Sequence, residues 1–289
     1  MALFGKDFLT KLEYLSIVSR RVFQGQLMAQ RRTRQTGSGI EFADHRQYTQ
    51  GDDFRYLDWN LYARHGELLL KRFQEEEDLH VYFLLDCSRS MSTGTPAKFD
   101  LARQVAAALA YVALADLDRI AVFAFANNVT NHFPLTRGKA RILSLMHFLE
   151  RLPADGEGTN LAQLVQEFVT SVPRRGLAIV LSDLYDPRGF QKGLDLLRHH
   201  KFEAHVIQFF DKNEAEPKLL GDVELFDMET NELRTMTVTE SRLKDYRVNY
   251  QAFMKSVRDY CKHYGIDHTV TDMEATFDQL VMSMMKASG

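Results

Sequence analysis

Asp86, Ser88 and Ser90 occupy alternate positions in the run Leu84-Leu85-Asp86-Cys87-Ser88-Arg89-Ser90-Met91. In an extended backbone alternate side chains point the same way. A carboxylate and two hydroxyls can therefore converge where the strand gives way to a loop, with Cys87 and Arg89 pointing elsewhere. Thr159, in the loop Gly156-Glu157-Gly158-Thr159-Asn160, and Asp183, just after the apolar run Leu177–Leu181, hold equivalent places in the topology. All five are hard oxygen groups without a thiol or imidazole among them, a set that favours Mg²⁺, Mn²⁺ or Ca²⁺ over zinc. Two carboxylates balance the charge of a divalent ion while hydroxyls add none. Such an ion stays electrophilic enough to accept a carboxylate from another molecule, which is the chemistry of binding rather than of turnover. The plain alternative is a polar strand-to-loop junction with a capping serine.

The elements that must position these groups are legible in the apolar pattern. Short, strongly apolar runs at His80–Leu85, Ile120–Ala126, Leu177–Leu181 and Ala204–Phe210 read as strands. Between them Ala97–Ala115, Lys139–Leu152, Leu161–Thr170 and Gly189–His199 read as helices, the first with Thr95 as N-cap and Pro96 in its first turn. Strands buried on both faces and separated by helices predict an α/β fold, an open, mostly parallel sheet covered by helices. In such sheets ligands bind beyond the C-terminal ends of the strands. Val129–Leu135 fits an antiparallel edge strand. Asp222–Met228 and Leu233–Val238 fit a hairpin, followed by a helix over Ser241–Tyr264, a strand at Asp267–Thr271 and a closing helix at Thr276–Met285. The predicted organisation is an N-terminal helix and basic arm over 1–39, a small β-rich segment over 40–77 packed on the main domain, and the α/β domain over 78–289. The N-terminal helix, Asp7–Phe23, places Leu9, Leu12, Leu15, Val18 and Val22 near one face.

Composition narrows the function classes. The chain has 289 residues with 45% hydrophobic and 26% charged, a globular balance. Its net charge of -3 argues against a dedicated nucleic-acid binder. Residues 1–39 carry seven Lys or Arg and two Asp or Glu, so the remainder is distinctly acidic. Two cysteines, Cys87 and Cys261, give no disulfide framework. The longest apolar run, Val105–Ala115, falls well short of the roughly 20 residues that span a bilayer. Lys6, Asp7, Lys11 and Glu13 interrupt any signal-like core. The expected compartment is the cytoplasm.

The set Asp86-x-Ser88-x-Ser90 with Thr159 and Asp183 resembles the metal-ion-dependent adhesion site of von Willebrand factor A domains. The resemblance implies a doubly wound sheet carrying a divalent ion, usually Mg²⁺, with Mn²⁺ and Ca²⁺ as alternatives. The two serines would bind it directly, Thr159 directly or through water, and the aspartates directly or through hydrogen bonds. A partner's Asp or Glu would complete the shell. Further upstream, Ala43-Asp44-His45-Arg46-x-Tyr48-x-x-Gly51-Asp52-Asp53-x-Arg55-x-x-Asp58-Trp59 and Ala63-Arg64 resemble the signature of a bacterial family of unknown function. Its members carry such a domain and are commonly encoded beside MoxR-type AAA+ ATPases. Many have N-terminal membrane helices, and no segment here reads as one. The implied partner is such an ATPase, or its substrate, bearing an acidic ligand residue.

Other residues have more than one reading. The mixed charges Arg46, Asp52, Asp53, Arg55, Asp58 and Arg64 are expected to pair with one another, with a solvated surface as the alternative, and Trp59 is expected to be largely buried as a packing anchor, with an exposed contact as the alternative. Arg31, Arg32 and Arg34 lack the aromatic interleaving of a nucleic-acid site. His199, His200, His263 and His268 have no spacing for zinc. Gly156 and Gly158 would let the backbone approach an ion. The leading function is a metal-dependent interaction module acting as adaptor or substrate recruiter. The alternatives are a Mg²⁺-dependent hydrolase or phosphotransferase, and a scaffold with no metal-dependent role. Against an enzyme, no Lys or His has an evident place beside Asp86, and no phosphate-binding glycine loop of the G-x-x-x-x-G-K-[ST] type occurs.

Overall fold

The computed structural model describes residues 3–23, 36–37, 41–74, 79–226 and 233–287. Arg31, Arg32 and Arg34 of the basic arm lie outside them. The chain divides into two units, one of Met1–Ser19 with Leu79–Ser288, the other of Arg20–Asp78.

The chain opens with helix α1 (Lys6–Phe23). Its buried face is Phe8, Leu12, Leu15 and Ser16, whereas Leu9 is exposed. The spacing 8, 12, 15 follows the helical period more closely than the predicted 9, 12, 15.

In the smaller unit, strands β1 (Thr36–Gly37) and β2 (Glu41–Gln47) flank β3 (Leu69–Gln74), all antiparallel. Helix α2 (Trp59–His65) stands between β2 and β3 in the chain. Asp58 caps α2, accepting from the backbone N–H of Asn60 and Leu61 at 3.0 and 3.2 Å. The same carboxylate pairs with His45 Nε2 at 3.0 Å and Lys71 Nζ at 3.4 Å. The His45 hydrogen bond outweighs burial and holds the Asp58 carboxyl down at about 2. Arg46 pairs with Asp52 and Arg55 with Asp53, each at 2.6 Å. The charged residues are thus largely paired within the unit. Trp59, expected among the buried anchors, is 59% exposed. Burial falls instead on Leu57 and Leu70, which bridge antiparallel backbones, while Phe54, Tyr56 and Tyr62 are also exposed.

The larger unit holds a six-stranded sheet. Its strands are β4 (His80–Asp86), β5 (Arg119–Phe125), β6 (Val129–Arg137), β7 (Leu177–Ser182), β8 (Glu203–Phe210) and, beyond a hairpin of β9 (Gly221–Phe226) and β10 (Leu233–Val238), β11 (Asp267–Asp272). The spatial order is β11-β8-β7-β4-β5-β6. All pairs are parallel except β5 with β6, where the predicted edge strand runs antiparallel. Helices α3 (Lys98–Ala115), α4 (Ile142–Arg151), α5 (Leu161–Ser171), α6 (Gln191–His199), the short α7 (Lys212–Ala215), α8 (Glu240–Tyr264) and α9 (Phe277–Ala287) complete the unit. Pro96 does not open α3. Its peptide bond with Thr95 is cis, and Ala97 is the N-cap residue, without a side-chain cap.

β4 is buried at every position, as a central parallel strand must be. Tyr82 and Leu84 face a cluster with Leu164, Phe168, Leu194, Leu197 and Val257. The Phe168 ring lies 5.1 Å from those of Tyr82 and Phe123 and 5.0 Å from that of Phe202. Each such aromatic pair adds about 0.5–1.5 kcal/mol beyond area burial. The alternate residues Val81, Phe83 and Leu85 are buried on the opposite face. Packing on both faces fixes β4, and with it the point at which Asp86 leaves the sheet.

Candidate functional site

The chain enters the sheet at β4 and adds β5 on one side and β7 on the other. This reversal opens a crevice at the C-terminal ends of β4 and β7, the place where doubly wound sheets bind ligands. Asp86 ends β4 and Asp183 follows β7 directly.

Asp86 is wholly buried. Its Oδ1 accepts the backbone N–H of Ser88 at 2.9 Å, and its Oδ2 accepts the hydroxyl of Ser182 at 2.5 Å. Burial first, and the Asp183 charge second, push its carboxyl well above the usual carboxylate range. A carboxyl in that state gains from any nearby cation. Ser88 is also wholly buried, and its Oγ lies 3.0 Å from the Oγ of Ser90. The two hydroxyls are thus hydrogen-bonded, and their separation is also about the 3.0 Å that cis ligands of an octahedral ion bonded at about 2.1 Å would take.

The loop bearing Thr159 is tied to the same strand end. Arg89 N–H donates to the Gly156 carbonyl and Gly156 N–H to the Cys87 carbonyl, both at 3.1 Å. A Cβ at Gly156 would fall 2.3 Å from the Ala126 Cβ. The glycine is therefore required by packing against the end of β5, rather than by approach to an ion. Gly158 has φ +71°, which a side chain disfavours. Beyond it, Asn160 caps α5 and its N–H donates to the Ala126 carbonyl at 3.1 Å. Thr159, fixed between these bonds, is 3% exposed, and its Oγ1 has no hydrogen-bond partner. A buried hydroxyl left unsatisfied costs about 1–3 kcal/mol, so the fold retains an oxygen with an unused acceptor there.

Asp183 Oδ1 accepts the Tyr185 N–H at 3.1 Å, and its Oδ2 accepts Lys98 Nζ at 2.8 Å. Lys98 was not foreseen. It stands beside Asp183 rather than Asp86, and the simple balance of two carboxylates against one ion needs correction. Lys98 also pairs with Glu214 at 2.9 Å, so the site carries three carboxylates and one ammonium. The sequence signal was a lysine opening a helix, where the dipole favours acidic residues. Ser182 was overlooked as well, since its part depends on a bond to a residue 96 positions away.

The donor set fits a hard divalent cation. Ser88, Ser90 and Thr159 would offer hydroxyls, and Asp86 and Asp183 would accept from bound water or bind directly. Among the described residues, no group of three or more His, Cys, Asp or Glu is placed to hold a metal. Any site here therefore depends on the hydroxyls. Of the histidines weighed for zinc, His268 meets Gln208 at 3.1 Å, and His205 on the neighbouring strand meets Thr269 at 2.9 Å.

The chain is 26% identical over 216 residues to the uncharacterized protein Rv1480 of Mycobacterium tuberculosis and to Mb1516 of Mycobacterium bovis, covering 73% of this chain and 67% of each relative. Among solved structures it is similar to the conserved hypothetical protein BatB from Bacteroides thetaiotaomicron, at a TM-score of 0.46 and 15% identity over 72% of this chain and 96% of that one. The pilus adhesin SpaC from Lactobacillus rhamnosus GG matches at a TM-score of 0.44 and 9% identity, over 73% of this chain and 30% of that one. No helix among the described residues is long and apolar enough to cross a membrane. Residues 44–259, most of the chain, match the family described as protein of unknown function DUF58, and the chain belongs to that family.

Proposed function

We propose that this protein is a divalent-cation-dependent interaction module with a von Willebrand factor A-like domain, working in the cytoplasm as adaptor or substrate recruiter for a MoxR-type AAA+ ATPase. The observation that carries the cation site is the unpartnered, buried hydroxyl of Thr159 in a loop bonded to the Ser88 strand end. The mostly parallel sheet with its antiparallel edge strand supports the fold reading. The choice of ATPase rests on the sequence resemblance alone. Hydroxyl ligands leave a bound ion able to attract a partner's carboxylate, which is the chemistry such a module requires. Lys98, its ammonium shared between two carboxylates, is a poor candidate for the acid or base of a hydrolase.

Titration calorimetry of the full chain against a purified MoxR-type ATPase tests this. Association is expected in Mg²⁺, to be absent in EDTA, and to be lost in Asp86→Ala with its thermal transition retained. Equal affinity in EDTA would place the contact elsewhere on the chain.

A further inference from the structure

Lys98 combines three features that ordinary folding does not favour. It opens α3, where the helix dipole opposes a cation. Its side chain is wholly buried, at a desolvation cost of several kcal/mol unless well paired. And its Nζ is divided between two carboxylates, Asp183 Oδ2 at 2.8 Å and Glu214 Oε1 and Oε2 at 2.9 and 3.1 Å. The Tyr185 ring lies 5.0 Å from the same nitrogen. Two carboxylates within hydrogen-bonding distance of Nζ hold the side chain as an ammonium.

Glu214 is the outer half of this arrangement. It comes from α7, beyond the end of β8, and its side chain is 23% exposed. Its Oε1 lies 2.6 Å from Thr93 Oγ1, three residues after Ser90, and its Oε2 lies 3.2 Å from the hydroxyl of Tyr185, two residues after Asp183. Its carbonyl accepts the Tyr246 hydroxyl of α8 at 2.7 Å. One residue thus touches two of the three loops of the candidate cation site and the second turn of α8.

We propose that Lys98 is a positioning residue that holds Asp183 back from direct coordination, and that Glu214, by drawing on the same ammonium, sets how strongly the site takes a divalent cation. This rests on the reading of Asp86, Ser88, Ser90, Thr159 and Asp183 as a cation site. Without the Lys98 charge, Asp183 is free to face the ion. Without the Glu214 charge, Lys98 pairs with Asp183 alone and its positive charge opposes the ion. The Lys98–Glu214 pair then links the site to α7 and α8, so a partner that pulls on Glu214 weakens ion binding, and one that presses it home strengthens it.

The test is Mn²⁺ affinity of the full chain, measured by calorimetry and by the loss of the free-ion paramagnetic signal. Lys98→Met should bind Mn²⁺ about tenfold tighter, although it melts at a lower temperature in EDTA. Glu214→Gln should bind at least about tenfold weaker, because removing a negative charge a few ångströms from a divalent ion costs more than that at an effective dielectric of about 20. Glu157→Gln removes a charge from a 68%-exposed carboxylate in the Thr159 loop and should change affinity less than about twofold. A purely structural lysine predicts the opposite sign or no change for Lys98→Met, and either result in a folded variant overturns the proposal. If Lys98→Met does not fold, unchanged affinity in Glu214→Gln overturns it. Binding by Lys98→Met but not by wild type would keep the role of Lys98 and remove the native cation site. Binding by neither would remove both.

Discussion

Thr159→Val replaces a hydroxyl by a methyl of nearly equal size at a position that is 3% exposed. The Thr159 hydroxyl oxygen has no hydrogen-bond partner. Such a group has given up its water without recovering a bond, a penalty of about 1–3 kcal/mol. The valine avoids that penalty and keeps the β-branched shape, so the variant should be more stable than wild type in EDTA by about 1–2 kcal/mol. For a unit of this size that corresponds to a rise in Tm of about 2–8 °C. In Mg²⁺ the order should reverse, because wild type gains ion-binding free energy and the variant does not. Urea unfolding and thermal scans of both proteins in EDTA and in Mg²⁺ give the four values required. A variant less stable than wild type in EDTA would show that the hydroxyl is already satisfied. Equal stabilisation of both proteins by Mg²⁺ would show that Thr159 is not a ligand.

Phe168→Ala removes the ring shared by Tyr82, Phe123 and Phe202, and should cost about 3–5 kcal/mol in urea unfolding; a loss below about 1 kcal/mol would contradict the assigned core. Gly156→Ala forces a Cβ to 2.3 Å from that of Ala126, so it should destabilise by about 1–3 kcal/mol and weaken Mn²⁺ binding, while an unperturbed variant would refute the tight approach of this loop. Trp59, the one tryptophan, should be readily quenched by acrylamide, since it is 59% exposed. Beside it, Asp58 has its carboxyl held at about 2 against the ordinary 3.8, so its stabilising bonds to His45 and α2 are complete above about pH 4 and are lost as pH falls through about 2. Trp59 emission should shift over that window and not near pH 4, and an Asp58 titration midpoint near 4 would refute the pairing.

The sheet was legible because its strands are apolar on both faces and its helices polar on one. Each predicted strand of the larger unit appears within about two residues of its expected ends. Ser88 and Ser90 meet by a different route from the extended alternation expected, since Ser88 is the N-cap of a 3-10 helix over Arg89–Ser92 and the two hydroxyls approach at its first turn. What pattern could not supply was pairing at a distance. Lys98 meets Asp183 across 85 positions and Glu214 across 116, and no local spacing records either bond. Trp59 misled for a different reason: aromatic content signals burial only where enough backbone surrounds it, and the 20–78 unit is too small to cover its own rings. Pro96 misled because the helix starts only at Lys98, with Ala97 as its N-cap.

The central claim is that hydroxyls and carboxylates at the ends of β4 and β7 form a divalent-cation site. A crystal of the full chain grown with Mn²⁺ and measured at the manganese absorption edge tests it most directly. The account predicts one anomalous peak about 2 Å from the hydroxyl oxygens of Ser88 and Ser90, within reach of Thr159 Oγ1, and absent from Asp86→Ala crystals grown in the same way. No peak at the β4 end, or one held entirely by residues outside Asp86, Ser88, Ser90, Thr159 and Asp183, would contradict it.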